Sequence, residues 1–195
     1  MCALSRFTFV LLAAALLLPV SAASVLAQTV EPQLTMHRTE AAADDGTGWH
    51  RANSTKGKFA VLMPAPFNDF TVSGVDAKIG NFAIHTIGTE LPGGVRISVT
   101  EMPITPTMTR PRLDDILADW QTKPFQTLSE IERSPTATGE RLSFTVVDTV
   151  DNAAFTRYEL TPNALYTFVI EFRNWRKDEI GAIRDRIYAS FKPGS

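Results

Sequence analysis

Apolar and polar residues alternate along three segments in the first half of the chain, residues 57–63, 78–88 and 95–101. This period of two predicts β-strands, and in the third segment Val95 and Ile97 share the face that we expect to be buried. A proline followed by two glycines separates the second and third segments. It favours a type II turn, because proline presets φ and glycine accepts a positive φ. We therefore predict an antiparallel hairpin here.

The next segment has the period of a helix. Leu113, Ile116, Leu117 and Trp120 occupy positions i, i+3, i+4 and i+7, which predicts an amphipathic helix whose apolar stripe must face another element. Thr109 is predicted to be the N-cap, since a side-chain oxygen at that position accepts a hydrogen bond from the first turn.

The second half of the chain again alternates, over residues 140–148, 153–160 and 165–173, and residues 128–133 are predicted to form a weaker edge strand. Short polar turns separate these segments, which indicates an antiparallel meander. The chain ends in a second amphipathic helix, with apolar residues at i, i+3, i+7 and i+11. These residues are Ile180, Ile183, Ile187 and Phe191.

Together these elements predict an α+β fold, in which an antiparallel β-sheet of about six to seven strands is flanked by helices in an α/β/α-type sandwich. Leu165 and Val169 are apolar opposite the aromatic row from Tyr166 to Phe172. The sheet is therefore expected to bury both of its faces. Residues 49–193 are predicted to form this single domain.

The chain begins with an apolar run that is too short to cross a bilayer as a helix, which takes roughly 20 residues. Small residues follow, so residues 1–27 are predicted to be a secretory signal peptide, cleaved after Ala27 or, as the alternative, after Ala23. An uncleaved membrane anchor is the less favoured interpretation. Residues 28–48 lack a sustained period and are predicted to be a flexible leader, with a short strand at residues 30–34 left open. The mature protein is expected in the periplasm or in the medium.

Composition narrows the classes of function. A formal net charge of −2 provides no basic surface, which argues against binding to nucleic acid. The single cysteine, Cys2, lies in the predicted signal peptide, so the mature chain is expected to lack thiol catalysis, zinc–thiolate sites and disulfides. No phosphate-binding glycine loop, nucleophile elbow or dinucleotide motif follows a predicted strand, so no cofactor is expected. No membrane span is expected after signal cleavage.

Two segments of the chain resemble the PsbP/Mog1-like superfamily. They are GKFAVLMPAP at residues 57–66 and IYASFK at residues 187–192, with Trp49 near the start of the predicted domain. The pattern is similar to that of small exported bacterial proteins whose domain begins W…S…G-F-x-V-x-x-P-x-P. The resemblance covers about residues 49–193 and implies a central antiparallel sheet between helices, with a binding or accessory role. It implies no catalytic residues, and a fold does not transmit a function.

The densest basic and aromatic group consists of Arg173, Trp175, Arg176 and Lys177. One interpretation is a patch that binds an anionic ligand or a protein partner. The other is the solvated start of a helix, where the following acidic residues offset the charge. We favour the solvated helix start and keep the four residues as the candidate partner-binding set.

The histidines and the adjacent acidic residues do not form a recognisable metal or catalytic motif. His37, His50 and His85 are too widely spaced for a metal motif, and His85 is interpreted as a hydrogen-bonded structural residue of its strand. Asp114 and Asp115 point roughly 100° apart on a helix of 3.6 residues per turn. We interpret them as complementing the helix dipole rather than as an acid–base pair.

Three hypotheses for the function follow. The favoured one is an exported, non-enzymatic binding or accessory module for an envelope or secreted partner, because a complete domain pattern occurs without a catalytic constellation. The first alternative is a carrier of an apolar small molecule between sheet and helix, based on the 12 phenylalanines. The second is a hydrolase that uses His85 with a carboxylate brought near it by folding.

Overall fold

The computed structural model describes residues 31–42, 44–76 and 80–194, so the predicted signal peptide and its cleavage sites lie outside the described residues. The first half of the domain contains strands β1 (Gln33–Ala41), β2 (His50–Asn53), β3 (Phe59–Met63), β4 (Phe67–Asp76), β5 (Gly80–Leu91) and β6 (Val95–Pro103). The second half contains helix α1 (Leu113–Thr122), strands β7 (Gln126–Thr136), β8 (Gly139–Asp148), β9 (Asn152–Leu160) and β10 (Ala164–Arg173), a short 3-10 helix (Asn174–Arg176), helix α2 (Lys177–Ser190) and strand β11 (Lys192–Pro193).

Eight of these strands form one antiparallel sheet in the order β1-β4-β5-β6-β10-β9-β8-β7, and three short strands form a second sheet in the order β11-β3-β2. Helix α1 packs on one face of the large sheet, and helix α2 packs on the other face together with the small sheet. The predicted α+β sandwich is confirmed in this form. The prediction of six to seven strands is too low, because β1 and β4 join the large sheet, while the strand predicted at residues 57–63 belongs to the small one.

Alternation along β10 divides the core into two layers. Phe168 points toward α2 and is buried with Ile180 and Ile187. Leu165 points to the opposite face and is buried with Leu113 of α1. Successive side chains of a strand point to opposite faces, so one strand contributes to both layers. The expectation that both faces of the sheet contribute to a buried core is confirmed where the helices cover the sheet.

The two helices differ from prediction in how they begin. Helix α1 starts at Leu113 with Arg112 in the N-cap position and without a side-chain capping bond, so the prediction of Thr109 as N-cap is wrong. Pro111 explains the difference, because proline disfavours the helical conformation at the residue before it. Helix α2 follows a 3-10 turn. Within the described ranges, neither helix combines the length and apolar character that crossing a bilayer takes.

The prediction of a flexible leader over residues 28–48 is wrong for β1, which is an edge strand of the large sheet and pairs with β4. The guanidinium of Arg38 in β1 lies 2.8 Å from the fully buried carboxylate of Asp69 in β4. Asp69 Oδ2 also accepts hydrogen bonds of 2.7 and 2.6 Å from the backbone N–H and the hydroxyl of Thr55. Burying a carboxylate costs free energy that such hydrogen-bonding and charged partners offset. Because β1 provides Arg38 as one of these partners, β1 is a structural part of the domain.

Candidate functional site

Helix α1 covers only part of its face of the large sheet. Its 10 residues span about 15 Å, whereas eight strands about 4.8 Å apart span roughly 34 Å. Next to the helix lies a groove of about 830 Å³ over strands β6, β10, β9 and β8, with Trp120 of α1 among its lining residues. We call it the α1-side groove. Small-ligand sites have volumes of about 300–1,000 Å³, so its size suits a ligand.

Short side chains form the floor of the α1-side groove. Ser98 of β6 lies opposite Val169 of β10, which lies opposite Thr156 of β9. Two positions along the same strands, Thr100 lies opposite Thr167. The aromatic row of β10 points to the other face of the sheet. Because these side chains are short, they leave space above the sheet. The strands that carry them are internal, and each is hydrogen-bonded to a neighbouring strand on both sides.

Trp120, at the helix side of the groove, is held by contacts with three neighbours. Its Nε1–H donates a 2.9 Å hydrogen bond to the hydroxyl oxygen of Tyr158, and its ring packs edge-on against Phe144 with 5.6 Å between centroids. The ammonium nitrogen of Lys123 lies 3.6 Å from the Trp120 ring centroid, a cation–π contact. Burial raises the pKa of Tyr158 to about 12, so its hydroxyl stays neutral near physiological pH. This side of the groove is therefore preformed.

Four charged residues line the groove, namely Arg96, Asp148, Glu171 and Arg173. Arg96 and Glu171 lie directly opposite each other on β6 and β10. Burial raises the pKa of Glu171, and the positive charge of Arg96 opposes that shift. Asp148 accepts a 2.7 Å hydrogen bond from the Asn152 side-chain amide, which also lines the groove. Two basic and two acidic groups make the lining close to neutral overall.

The substitution Glu171→Gln is expected to raise the stability of the free protein at about pH 7. A carboxyl group whose pKa is raised by folding stabilises the fold below its unfolded pKa, about 4.3 for glutamate, and this contribution is lost as the pH rises through the folded-state pKa. A neutral amide avoids that loss. Calorimetry should therefore give a small gain in Tm near neutral pH that shrinks toward about pH 4. A gain of equal size at every pH would contradict the burial of the Glu171 carboxylate.

The structure brings two distant histidines to one hydroxyl group. His37 Nε2 lies 2.8 Å and His85 Nδ1 lies 3.0 Å from Thr71 Oγ1. His37 was expected in the flexible leader and instead belongs to β1, so only folding could reveal this pairing. Burial lowers the pKa of His85, and the neighbouring charge of His37 lowers it further. The contact with Thr71 fits the interpretation of His85 as a hydrogen-bonded structural residue.

The hydrolase hypothesis requires a carboxylate that orients His85. In the described part of the chain, the hydrogen bond of the His85 ring goes to Thr71 and not to a carboxylate. Glu101 faces His85 across the β5–β6 pair, but its carboxylate accepts a hydrogen bond from the Lys58 backbone N–H. Residues 31–42, 44–76 and 80–194 contain no group of three or more histidine, cysteine or acidic side chains able to hold a metal ion. No contact at His85 therefore favours hydrolysis.

One solved structure that matches this chain is the solution structure of cyanobacterial PsbP (CyanoP) from Synechocystis sp. PCC 6803. The match has 15% sequence identity and a TM-score of 0.49, and it covers 74% of this chain and 92% of that chain. The chain is similar in fold to that protein. At this identity the similarity concerns the fold alone. No family model and no curated protein sequence matches the chain.

The four predicted partner-binding residues do not form one basic surface. Arg176 and Lys177 each form a salt bridge with a glutamate, at 2.6 and 2.7 Å. Arg173 lines the α1-side groove, while the guanidinium of Arg176 donates a 3.3 Å hydrogen bond to the Pro92 carbonyl oxygen, next to Gly93 of the groove lining. Trp175 is 76% exposed, which is unusual for so large an apolar side chain. Of the four residues, Arg173 lines the groove and Trp175 has the most exposed apolar side chain.

A second exposed aromatic residue lies at the same end of the sheet and was not singled out from the sequence. Phe125 is 76% exposed and has a φ of 65°, a conformation that side-chain-bearing residues rarely adopt. Its carbonyl oxygen accepts a 3.2 Å hydrogen bond from Thr149 in the β8–β9 turn. The carbonyl oxygen of Asp151, in the same turn, accepts one of 3.0 Å from Asn174, the neighbour of Trp175. Backbone contacts through one turn therefore link the two exposed aromatic residues.

Proposed function

We propose that the protein is an exported, non-enzymatic binding module and that its ligand, or a group of its partner, occupies the α1-side groove. The observation that carries this proposal is a groove of ligand size on the central strands of the sheet, with a preformed aromatic side and a floor of short side chains. Strands paired on both edges hold side chains in place better than loops do. A site on such a floor suits recognition of a ligand without movement of the backbone.

The non-enzymatic part of the proposal is supported by the chemistry of the lining. Among the described residues that line the groove there is no histidine and no cysteine. The hydroxyls of Ser98, Thr100 and Thr167 lie on the floor without a general base of this type next to them. Such a set can hydrogen-bond a ligand, and of the two carboxylates in the lining Asp148 is hydrogen-bonded to Asn152 and Glu171 lies opposite Arg96.

The hypothesis of an apolar carrier receives less support. The rings between the large sheet and α2 pack against one another, with centroid distances of 4.8 Å for Phe168–Phe191 and 5.4 Å for Phe168–Tyr188. This space is occupied by the protein's own core. The α1-side groove carries charges and hydroxyls, and covering these with an apolar molecule would remove their hydration without replacing it.

A thermal-shift experiment tests whether the groove is the binding site. The probe is a detergent-free extract of bacterial cell envelopes, fractionated by size and added to the purified domain. A ligand present at about 100 times its Kd stabilises a protein by about 2.7 kcal/mol, which for a domain of this size raises the Tm by about 5–10 °C. We expect one fraction to produce such a shift with the wild-type protein and not with Ser98→Trp, which fills the floor of the groove.

A second filling variant, Val169→Phe, guards against a folding defect particular to one position. Both variants should have a Tm close to wild type without added extract, since both side chains lie on the open face of the sheet. The matched control is Val75→Ala, an exposed apolar position on β4 outside the groove lining. If the filling variants respond to the active fraction as strongly as this control does, the groove is not the binding site.

A further inference from the structure

We infer that the α1-side groove binds a neutral carbohydrate chain, with the exposed rings of Trp175 and Phe125 as stacking surfaces at one end. This inference rests on the proposed function, because it assigns a ligand class to the same groove. Four properties of the described residues lead to it: the charge balance of the lining, its mixture of donors and acceptors, the position of the floor within the sheet, and the exposed rings.

The charge balance argues for a ligand without net charge. Arg96 lies opposite Glu171 on the floor, and Arg173 and Asp148 line the groove where strands β10 and β8 end. An ionic ligand that met one member of such a set would also meet a group of its own sign nearby. A neutral polar ligand faces no such repulsion. It can use both signs at once, because arginine only donates hydrogen bonds and a carboxylate only accepts them.

The mixture of donors and acceptors argues for a ligand rich in hydroxyl groups. Beside the charged side chains, the lining contains the hydroxyls of Ser98, Thr100 and Thr167 and the side-chain amides of Gln126 and Asn152. Each of these groups can both donate and accept a hydrogen bond. The hydroxyls of a sugar do the same, so neighbouring sugar hydroxyls can pair with neighbouring groups of the lining. Thr100, Gln126 and Asn152 each already donate one hydrogen bond within the protein. The Ser98 hydroxyl and the amide oxygens of Gln126 and Asn152 are therefore the groups that a ligand with few polar atoms would leave unpaired.

The position of the floor argues against an extended peptide. Peptides that bind to sheets usually add a strand to a free edge, where main-chain hydrogen bonds provide the affinity. Strands β6, β10 and β9 are internal, and each is paired on both sides. Only side chains of these strands face the groove. A ligand there must be recognised through side-chain hydrogen bonds and ring contacts, which suits a sugar chain better than a peptide backbone.

The exposed rings supply the apolar part of such a site. Trp175 follows the groove residue Arg173 by two positions, and Phe125 directly precedes the groove residue Gln126. Both rings are exposed to the same high degree, and the positive φ of Phe125 shows a backbone held in a disfavoured conformation. The faces of pyranose rings carry C–H groups that pack on aromatic rings. Among the described residues, neither ring is part of the groove lining, so each would contact only a sugar chain that extends beyond the groove.

Titration calorimetry with defined probes tests the inference. The probes are neutral hexasaccharides of glucose and of N-acetylglucosamine, an anionic oligogalacturonate and the peptide trialanine. We expect at least one neutral hexasaccharide to bind the wild-type protein, with an affinity that changes by less than about twofold between about 0.05 and 0.5 M salt. Trp175→Ala should weaken binding by about two- to tenfold. Ser98→Trp should abolish it, and the control Val75→Ala should leave it unchanged.

The possible results distinguish a failure of the carbohydrate inference from a failure of the proposed function. If trialanine or oligogalacturonate binds in a manner that Ser98→Trp abolishes, and no neutral hexasaccharide binds, the carbohydrate inference is overturned while the groove remains a binding site. If a neutral hexasaccharide binds equally well to wild type, Ser98→Trp and Val169→Phe, the assignment of the site is overturned as well. If none of the neutral hexasaccharides binds, the inference is also overturned, whatever the envelope extract does to the Tm.

Discussion

Phe168→Ala is expected to lower the free energy of unfolding by about 3–5 kcal/mol, the range for removing a buried phenylalanine side chain. Phe168 is fully buried on β10, near the middle of the large sheet. Its ring packs against Tyr188 of α2 and against Phe191 just after the helix. The substitution therefore removes contacts that attach α2 to the sheet and leaves a cavity that a paired central strand cannot close. Guanidinium denaturation followed by circular dichroism measures the change.

Phe125→Ala is the matched control for this prediction, because it removes the same side chain from an exposed site. Its effect should stay within about 0.5 kcal/mol of wild type, as for most surface substitutions. The contrast between the two variants tests the burial of Phe168 and not merely the loss of an aromatic ring. If both variants lost a similar amount of stability, the packing of α2 on the sheet would not be as described.

The strands with regular alternation could be predicted from the sequence, and strand β4 could not. Strands β5 and β6 form the predicted hairpin, and Val95 and Ile97 are fully buried as expected. Strand β4 was missed, since Asp69, Ser73 and Gly74 are residue types that strands disfavour. Asp69 is buried there only because Arg38 and Thr55 pair with it, and the partners are 31 and 14 residues away in the chain.

The candidate site could be predicted only in part. The sequence singled out Arg173 and Trp175 within a solvated helix start whose acidic residues offset the charge, and the Arg176–Glu179 salt bridge fits that interpretation. The sequence does not reveal that Lys177 pairs with Glu130, which lies 47 residues away in the chain. No sequence pattern distinguishes the floor of the groove, because the hydroxyl residues Ser98 and Thr167 have the polar character of ordinary solvent-facing strand positions. The one available clue was length, since a predicted helix of about ten residues is too short to cover a wide sheet.

Glu159→Ala is expected to lower the free energy of unfolding by about 3–5 kcal/mol, as when one member of a buried ion pair is removed. The side chains of Arg157 and Glu159 are 6% and 8% exposed, and the Glu159 carboxylate accepts a hydrogen bond from the Arg157 guanidinium. Arg157 also lies with its Cζ 4.5 Å from the ring centroid of Tyr188. Burial lowers the pKa of Arg157, and the carboxylate of Glu159 opposes this shift. Arg141, whose side chain is 36% exposed, also binds this carboxylate at 2.9 Å. Without Glu159, the buried guanidinium of Arg157 and the partly exposed one of Arg141 would both remain without their carboxylate.

Two further variants decide whether charge or packing causes this loss. Glu132→Ala, an exposed acidic position on β7, should change the stability by less than about 0.5 kcal/mol. The double variant Arg157→Leu with Glu159→Leu removes both charges while keeping apolar volume, so it should unfold within about 1 kcal/mol of wild type. Urea denaturation of the set gives the comparison.

A double variant as unstable as Glu159→Ala would mean that the stem of Arg157, packed between α2 and the sheet, contributes the stability. A stable double variant would exclude the stem of Arg157 as the cause. The loss in Glu159→Ala would then come from the unpaired guanidinium, together with the buried volume that alanine removes at position 159.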